Sequence, residues 1–187
     1  MKARRQGGFS LLELLVALLV VVIITSMVSL NIGSGNRDQL IENQVRNIAS
    51  ISEYALDEAQ LRGQSFGLLL EQRFEKGEVR YAYSWRELRA EGWRPPQLNA
   101  ELFAGDLMPP GVELELALDD LAVAELSLEE EGSDAIPQVQ FYASGEATSG
   151  ALDVRDAESG ELAWRVEWDL LGRFEVLLRG EEPEDDG

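Results

Sequence analysis

Neither cysteine nor histidine occurs anywhere in the 187 residues. Without cysteine no disulfide can staple the fold, so a hydrophobic core has to hold it even in an oxidising compartment. Without histidine there is no imidazole base, which removes Ser-His-Asp and Cys-His nucleophile arrangements and the H-E-x-x-H metal site. Positive charge is scarce as well: 16 Lys and Arg stand against 35 Asp and Glu, a formal net charge of −19. Such a surface repels phosphate backbones, which excludes nucleic acid as a partner class and keeps an exported domain soluble. Phosphate-cradling glycine motifs are missing too, since Gly33-Ser34-Gly35 lacks both the spacing and the preceding strand they need. The carboxylates at Asp119-Asp120 and from Asp153 to Glu161 do not follow a calcium-loop pattern and read as solvated strand ends. No cofactor and no metal is expected.

What the chain does have is one long apolar run. Phe9 to Leu30 is 22 residues with a single carboxylate, Glu13, at its edge. At ~1.5 Å per helical residue the run spans about 33 Å, enough to cross the hydrocarbon of a bilayer. The nearby basic residues, Lys2, Arg4 and Arg5, all lie before it, which keeps the N-terminus in the cytoplasm and exports everything after Leu30. An ordinary secretory signal carries its small-residue cleavage site after the apolar core. Here the conspicuous signal precedes the core: Gly7-Gly8, then Phe9, then Ser10-Leu11-Leu12-Glu13.

The run gives way at NIGSGNRD, residues 31–38, whose glycines and asparagines predict a weak point in any helix. Helical spacing returns with Ile41, Val45, Ile48, Ser52, Ala55 and Ala59 and stops near Gly63. The period then changes to two. SFGLLLE and VRYAYS flank a turn-like QRFEKGE and predict a hairpin. VELELAL sets Val112, Leu114, Leu116 and Leu118 against Glu113 and Glu115. LAWRVEWDL sets Leu162, Trp164, Val166, Trp168 and Leu170 against Arg165, Glu167 and Asp169, so Trp164 and Trp168 are expected in the core. Shorter strands are expected at Ala124 to Glu129, Pro137 to Tyr142, Ala151 to Arg155 and Arg173 to Arg179. Between them, Pro95-Pro96 and Pro109-Pro110 argue against long regular elements, and Trp85 and Trp93 there suit either a loop or a partner. The final EEPEDDG is too polar to pack.

GG-FSLLE resembles the type III signal of the type IV pilin and pseudopilin superfamily. The resemblance implies that a prepilin peptidase cleaves between Gly8 and Phe9 and methylates the new amine of Phe9. It also implies that Glu13 meets the N-terminal amine of a neighbouring subunit and sets the register of helices in a filament. Within the head, PQVQFYASGEATSGALDVRD, with Phe141, Ser144, Gly145 and Glu146, resembles the strand-turn-strand element of the minor pseudopilin H (GspH/FimT) family of type II secretion systems. RGQSFGLLL and DLLGRFEVLL fit the same family, while Ala143 stands where it has proline.

The implied fold is α+β and pilin-like, a long N-terminal α-helix packed on an antiparallel β-sheet head. Its expected divisions are a cleaved leader at 1–8, a transmembrane and assembly helix at 9–30, a helical stalk at 31–63, a periplasmic head at 64–180 and an acidic tail at 181–187. The implied function is structural: a subunit near the tip of a periplasmic pseudopilus that helps export folded exoproteins. Other major and minor pseudopilins, the prepilin peptidase, the inner membrane and the exoproteins are the expected partners. A minor pilin of a type IV pilus (FimT/FimU-like) is the alternative, followed by a membrane-anchored periplasmic enzyme.

Overall fold

Helix-forming residues run almost unbroken from Leu11, and the chain is helical from Leu11 to Arg62 (α1, 52 residues). Gly63 ends it at φ +64, a left-handed position that glycine takes without steric cost. Gly33 and Gly35 do not interrupt it; each costs ~1 kcal/mol in a helix interior, which the flanking helix formers absorb. The computed structural model describes residues 11–119, 121–124, 126 and 135–181, without the side chains of 13, 23–36 and 121–125. Two units are distinguished, Met1–Gln39 and Leu40–Gly187. The second begins inside the segment expected as a stalk.

In the second unit α1 is amphipathic in the way its spacing predicts. Ile41, Val45, Ile48, Ser52, Ala55 and Ala59 are all buried, joined by Ala49, Ile51 and Leu56. Burying each large aliphatic side chain contributes roughly 1.5–3 kcal/mol.

Two five-stranded sheets supply the opposing surface, with antiparallel pairing throughout the described residues. The first holds β1 (Phe66–Glu75), β2 (Glu78–Arg89), β3 (Gly92–Arg94), β4 (Asp106–Leu107) and β7 (Val139–Phe141), in the order β3-β2-β1-β7 with β4 also on β2. A short helix, α2 (Ala100–Phe103), precedes β4. The second sheet runs β10-β9-β8-β5-β6, from β5 (Val112–Leu118), β6 (Leu121–Ala124), β8 (Gly150–Asp156), β9 (Leu162–Trp168) and β10 (Phe174–Leu178).

The β1–β2 hairpin is longer than QRFEKGE predicted. Its pairing continues to Glu75↔Glu78 and closes on Lys76 and Gly77 alone, at φ 51 and 91. Two successive left-handed residues match the twist of the flanking strands, so pairing persists to the last residue. Alternation holds in the two strands where it was strictest, β5 and β9. In β5 the four aliphatic residues are buried and Glu113, Glu115 and Ala117 exposed. In β9, Trp164, Val166 and Trp168 are buried. Leu170 is not, being 55% exposed. The strand stops at Trp168 because Asp169 Oδ1 accepts the N–H groups of Leu171 and Arg173, bending the chain into β10. The segments expected at Ala124 to Glu129 and after Glu181 reach outside the described residues.

α1 touches both sheets. Trp85 Nε1 donates to Ser52 Oγ at 3.2 Å, and the Tyr83 hydroxyl donates to Gln44 and accepts from Asn47. Toward the other sheet, the Arg46 guanidinium lies 5.9 Å from the Trp164 ring centre. Gly172 sits so close to Leu56 that an added Cβ would fall 2.2 Å from Leu56 Cδ2. Trp85 is thus a core residue, fully buried and edge-on to Tyr83 at 5.5 Å. The elements of the proline-rich stretch are short, as expected, yet α2 places Phe103 in the core against Trp85 and Phe66.

Candidate functional site

At the start of α1, Leu11, Leu12, Leu14, Leu15, Val16, Leu18, Leu19, Val20, Val21 and Val22 are all exposed, none by less than 47%. At about 100° per residue these positions point in every direction around the axis, and a helix apolar all round requires lipid or other helices. Glu13 lies in this part of the helix backbone, and its side chain is outside the described residues. Gly8 and Phe9 also lie outside them. Among the described residues no helix is long and apolar enough to cross a membrane. The span expected at 9–30 extends beyond those residues at its start and in its side chains from 23 on.

A polar network runs from the end of α1 across the first sheet. Asn99 donates to the Tyr54 hydroxyl, Tyr54 donates to Glu58 at 2.7 Å, and Glu58 pairs with Arg62 at 2.6 Å. Arg62 and Arg89 both reach Glu87, at 3.6 and 2.6 Å. Glu87 faces the core side because it stands opposite Phe66, and it is buried. A buried carboxylate needs such partners. The Glu58 hydrogen bond holds the Tyr54 hydroxyl above its usual pKa, with burial adding to the shift. An open cleft of about 390 Å³ lies here between Arg62, Glu87, Arg89 and Leu98.

On the outer face of the second sheet, Asp153 is gripped by Arg165 at 2.6 Å and Arg155 at 2.9 Å, and Arg155 also reaches Glu115. The hydrogen bond with Asp153 raises the Arg165 pKa. Asp156 Oδ1 accepts N–H groups from Glu158 and Ser159. These two members of the Asp153 to Glu161 run therefore serve guanidiniums and a turn. Among the described residues no three metal-ligating side chains come together. Asp120 lies outside them.

The Ser144-Gly145-Glu146 turn links β7 to β8. Tyr142 N–H donates to the Glu146 carbonyl at 2.8 Å, Gly145 takes φ +91, and the Gln60 side chain of α1 fills the space beside it. The turn therefore docks on the helix as well as joining two strands.

Charge is divided unevenly over the head. Residues 66–94 carry six Lys or Arg against five Asp or Glu, whereas 95–180 carry four against 19. An open cavity of about 710 Å³ lies on the second sheet, with Ala117, Gly150 and Ala151 among carboxylates at Asp119, Glu167, Asp169 and Glu175 and one guanidinium, Arg173, which pairs with Asp169.

The ion-pair networks went unseen in the sequence, although a signal was present. Glu71-x-Arg73, Glu87-x-Arg89, Asp153-x-Arg155 and Arg165-x-Glu167 repeat at the strand period, and all four are ion pairs.

Comparison with known proteins places these features in context. The family model "Type II transport protein GspH" matches residues 44–172, and the model "Prokaryotic N-terminal methylation motif" matches residues 3–29. Type II secretion system protein H of Aeromonas hydrophila is 25% identical over 191 residues, covering 98% of this chain and 100% of that one. The crystal structure of the minor pseudopilin EpsH from the type II secretion system of Vibrio cholerae superposes with a TM-score of 0.61 at 21% identity, covering 78% of this chain and 99% of that one. The solution structure of E. coli GspH gives 0.52 at 19% identity, covering 76% and 90%. The shared fold is the α+β arrangement of long helix and antiparallel head that the N-terminal signal implied.

Proposed function

This chain belongs to the GspH family of type II transport proteins and is a minor pseudopilin of the type II secretion system, and from that premise we propose how it works. Its relatives are structural pseudopilins, and its own role is structural: it turns over no substrate. A prepilin peptidase cuts between Gly8 and Phe9 and methylates Phe9. The mature protein is anchored once in the bacterial inner membrane, N-terminus cytoplasmic and head periplasmic. There it joins other pseudopilins near the tip of a periplasmic filament that moves folded exoproteins outward.

The physical core of this account is the pairing of Glu13 with an amine that cleavage alone creates. A carboxylate in hydrocarbon is tolerated when neutralised by a neighbouring cation. On a helix the Phe9 amine and Glu13 lie on one face, four residues apart. The amine of an adjacent subunit therefore finds the carboxylate at a single stagger, which fixes the register of apolar helices that otherwise slide freely. The observation that carries the reading is the exposed, all-round apolar surface from Leu11 to Val22, preceded by the methylation motif and followed by a GspH head.

Co-expression with a prepilin peptidase, followed by mass spectrometry, tests the first step. The expected product begins at methylated Phe9; a chain that keeps residues 1–8 in the presence of active peptidase overturns it. Glu13→Ala is then expected to be cleaved normally but to lower exoprotein export at least tenfold. Export at the unmodified level refutes the register role.

A further inference from the structure

In a head short of positive charge, guanidiniums gather where the end of α1 meets the first sheet. Arg62, in the last turn of α1, approaches Glu87 of β2; Arg89 lies two residues further along β2, and β3 sets Arg94 opposite Glu87. In this network three guanidiniums stand against two carboxylates, Glu58 and Glu87. The carboxylates do not occupy all the donors. Arg62 gives Nε to Glu58 at 2.6 Å, but its Nη1 stands 3.6 Å from Glu87, beyond hydrogen-bond length, and its Nη2 is buried with no acceptor. A buried donor without a partner is costly. Arg89 directs Nε and Nη2 to Glu87, and Nη2 also to the Pro95 carbonyl, which leaves Nη1 over. Among the described residues the side-chain amides of Gln64 and Gln97 have no hydrogen-bond partner. Arg62, Arg89, Gln64 and Gln97 all line the open cleft of about 390 Å³ beside Leu98.

We propose that this cleft is a binding site for a carboxylate, carried either by a small organic acid or by an acidic side chain of a docked protein. A planar carboxylate accepts N–H groups from guanidinium edges, and the two free amides add neutral donors on the same cleft. The donors are held before anything binds: the Arg62 guanidinium lies 5.7 Å from the Phe66 ring centre, and Arg89 is gripped by Glu87 through two nitrogens. Little ordering is then left for the ligand to impose. The surplus of one positive charge suits a single carboxylate; a phosphate, with its higher charge, would be set against the buried Glu87.

The test titrates propionate, and separately a blocked Gly-Glu-Gly peptide, into the full chain in detergent micelles at low salt, with the side-chain amide signals of Gln64 and Gln97 followed by NMR. Saturable shifts are expected with a carboxylate probe and none with propionamide or the Gly-Gln-Gly counterpart. Tighter binding of the peptide assigns the site to an acidic side chain of a docked protein, and tighter binding of propionate to a small acid. Arg89→Gln is expected to weaken binding at least tenfold, since it removes a charged donor. Because that variant also takes a partner from Glu87, Gln97→Ala supplies a second measurement that breaks no internal hydrogen bond. It is expected to weaken binding about threefold with the melting temperature of the head unchanged. The absence of saturable shifts in the millimolar range overturns the proposal. So does tighter binding of inorganic phosphate than of propionate, or binding that both substitutions leave undiminished.

Discussion

The two halves of α1 are built on opposite plans. From Leu11 to Val22 its large residues are aliphatic in every direction and all exposed; from Ile41 to Ala59 the aliphatic residues form one stripe and all are buried. The second half has its solvent, two β-sheets, supplied by its own chain. The first half has none among the described residues of its unit and so requires lipid or the helices of other subunits. One secondary structure thus serves two environments. The difference is written in the periodicity of the apolar residues rather than in their number.

Three experiments break or sharpen that contrast, in order of expected effect. Trp85→Ala removes the largest fully buried side chain that the second half packs against, together with its hydrogen bond to Ser52. A loss of about 3–5 kcal/mol is expected in chemical denaturation of the head, while the protein still fractionates with membranes. Ile48→Ala, buried in the second half, is expected to cost about 2–4 kcal/mol. Leu15→Ala, exposed in the first half, is expected to leave the melting temperature of the head unchanged and to lower export. Equal effects of these two substitutions on melting would erase the distinction between the halves.

The smallest effect concerns pH. Burial raises the pKa of the Tyr83 hydroxyl, nearby Asp106 raises it further, and the hydrogen bond from Asn47 opposes both. Tyr81 is shifted in the same direction, chiefly by burial. Unfolded tyrosine ionises near its ordinary value of about 10. The raised group therefore contributes stability that is fully present below that value and is lost as pH rises through the folded pKa. Thermal melts above pH 9 are expected to fall with pH, and Tyr83→Phe to flatten the fall. An unchanged slope would show that Tyr83 ionises alike in both states.

How much of this the sequence carried depended on whether a residue's neighbour was near it in the chain. The stripe from Ile41 to Ala59 and the alternation in β5 and β9 were legible because both periods are local. The depth of Trp85 was not, since its partners, Ser52 and Phe103, come from a helix before it and a short helix after it. The two-residue turn at Lys76-Gly77 was hidden because Arg73 and Phe74 look like loop residues until Glu75 is paired with Glu78. Glu87 reads as a surface charge; only its position opposite Phe66 turns it inward toward Arg62. Gly8, Phe9 and Glu13 were marked by a motif alone, and none of their side chains is among those the structure describes.

The turn at the tip of the β1–β2 hairpin has a practical side. Lys76 is the sole lysine after residue 8, and it is exposed at that tip. An amine-directed fluorophore therefore has a single side-chain target there, besides the terminal amine, without any engineered residue. A lysine-specific protease would nick the backbone there, between two strands that ten register pairs still hold together.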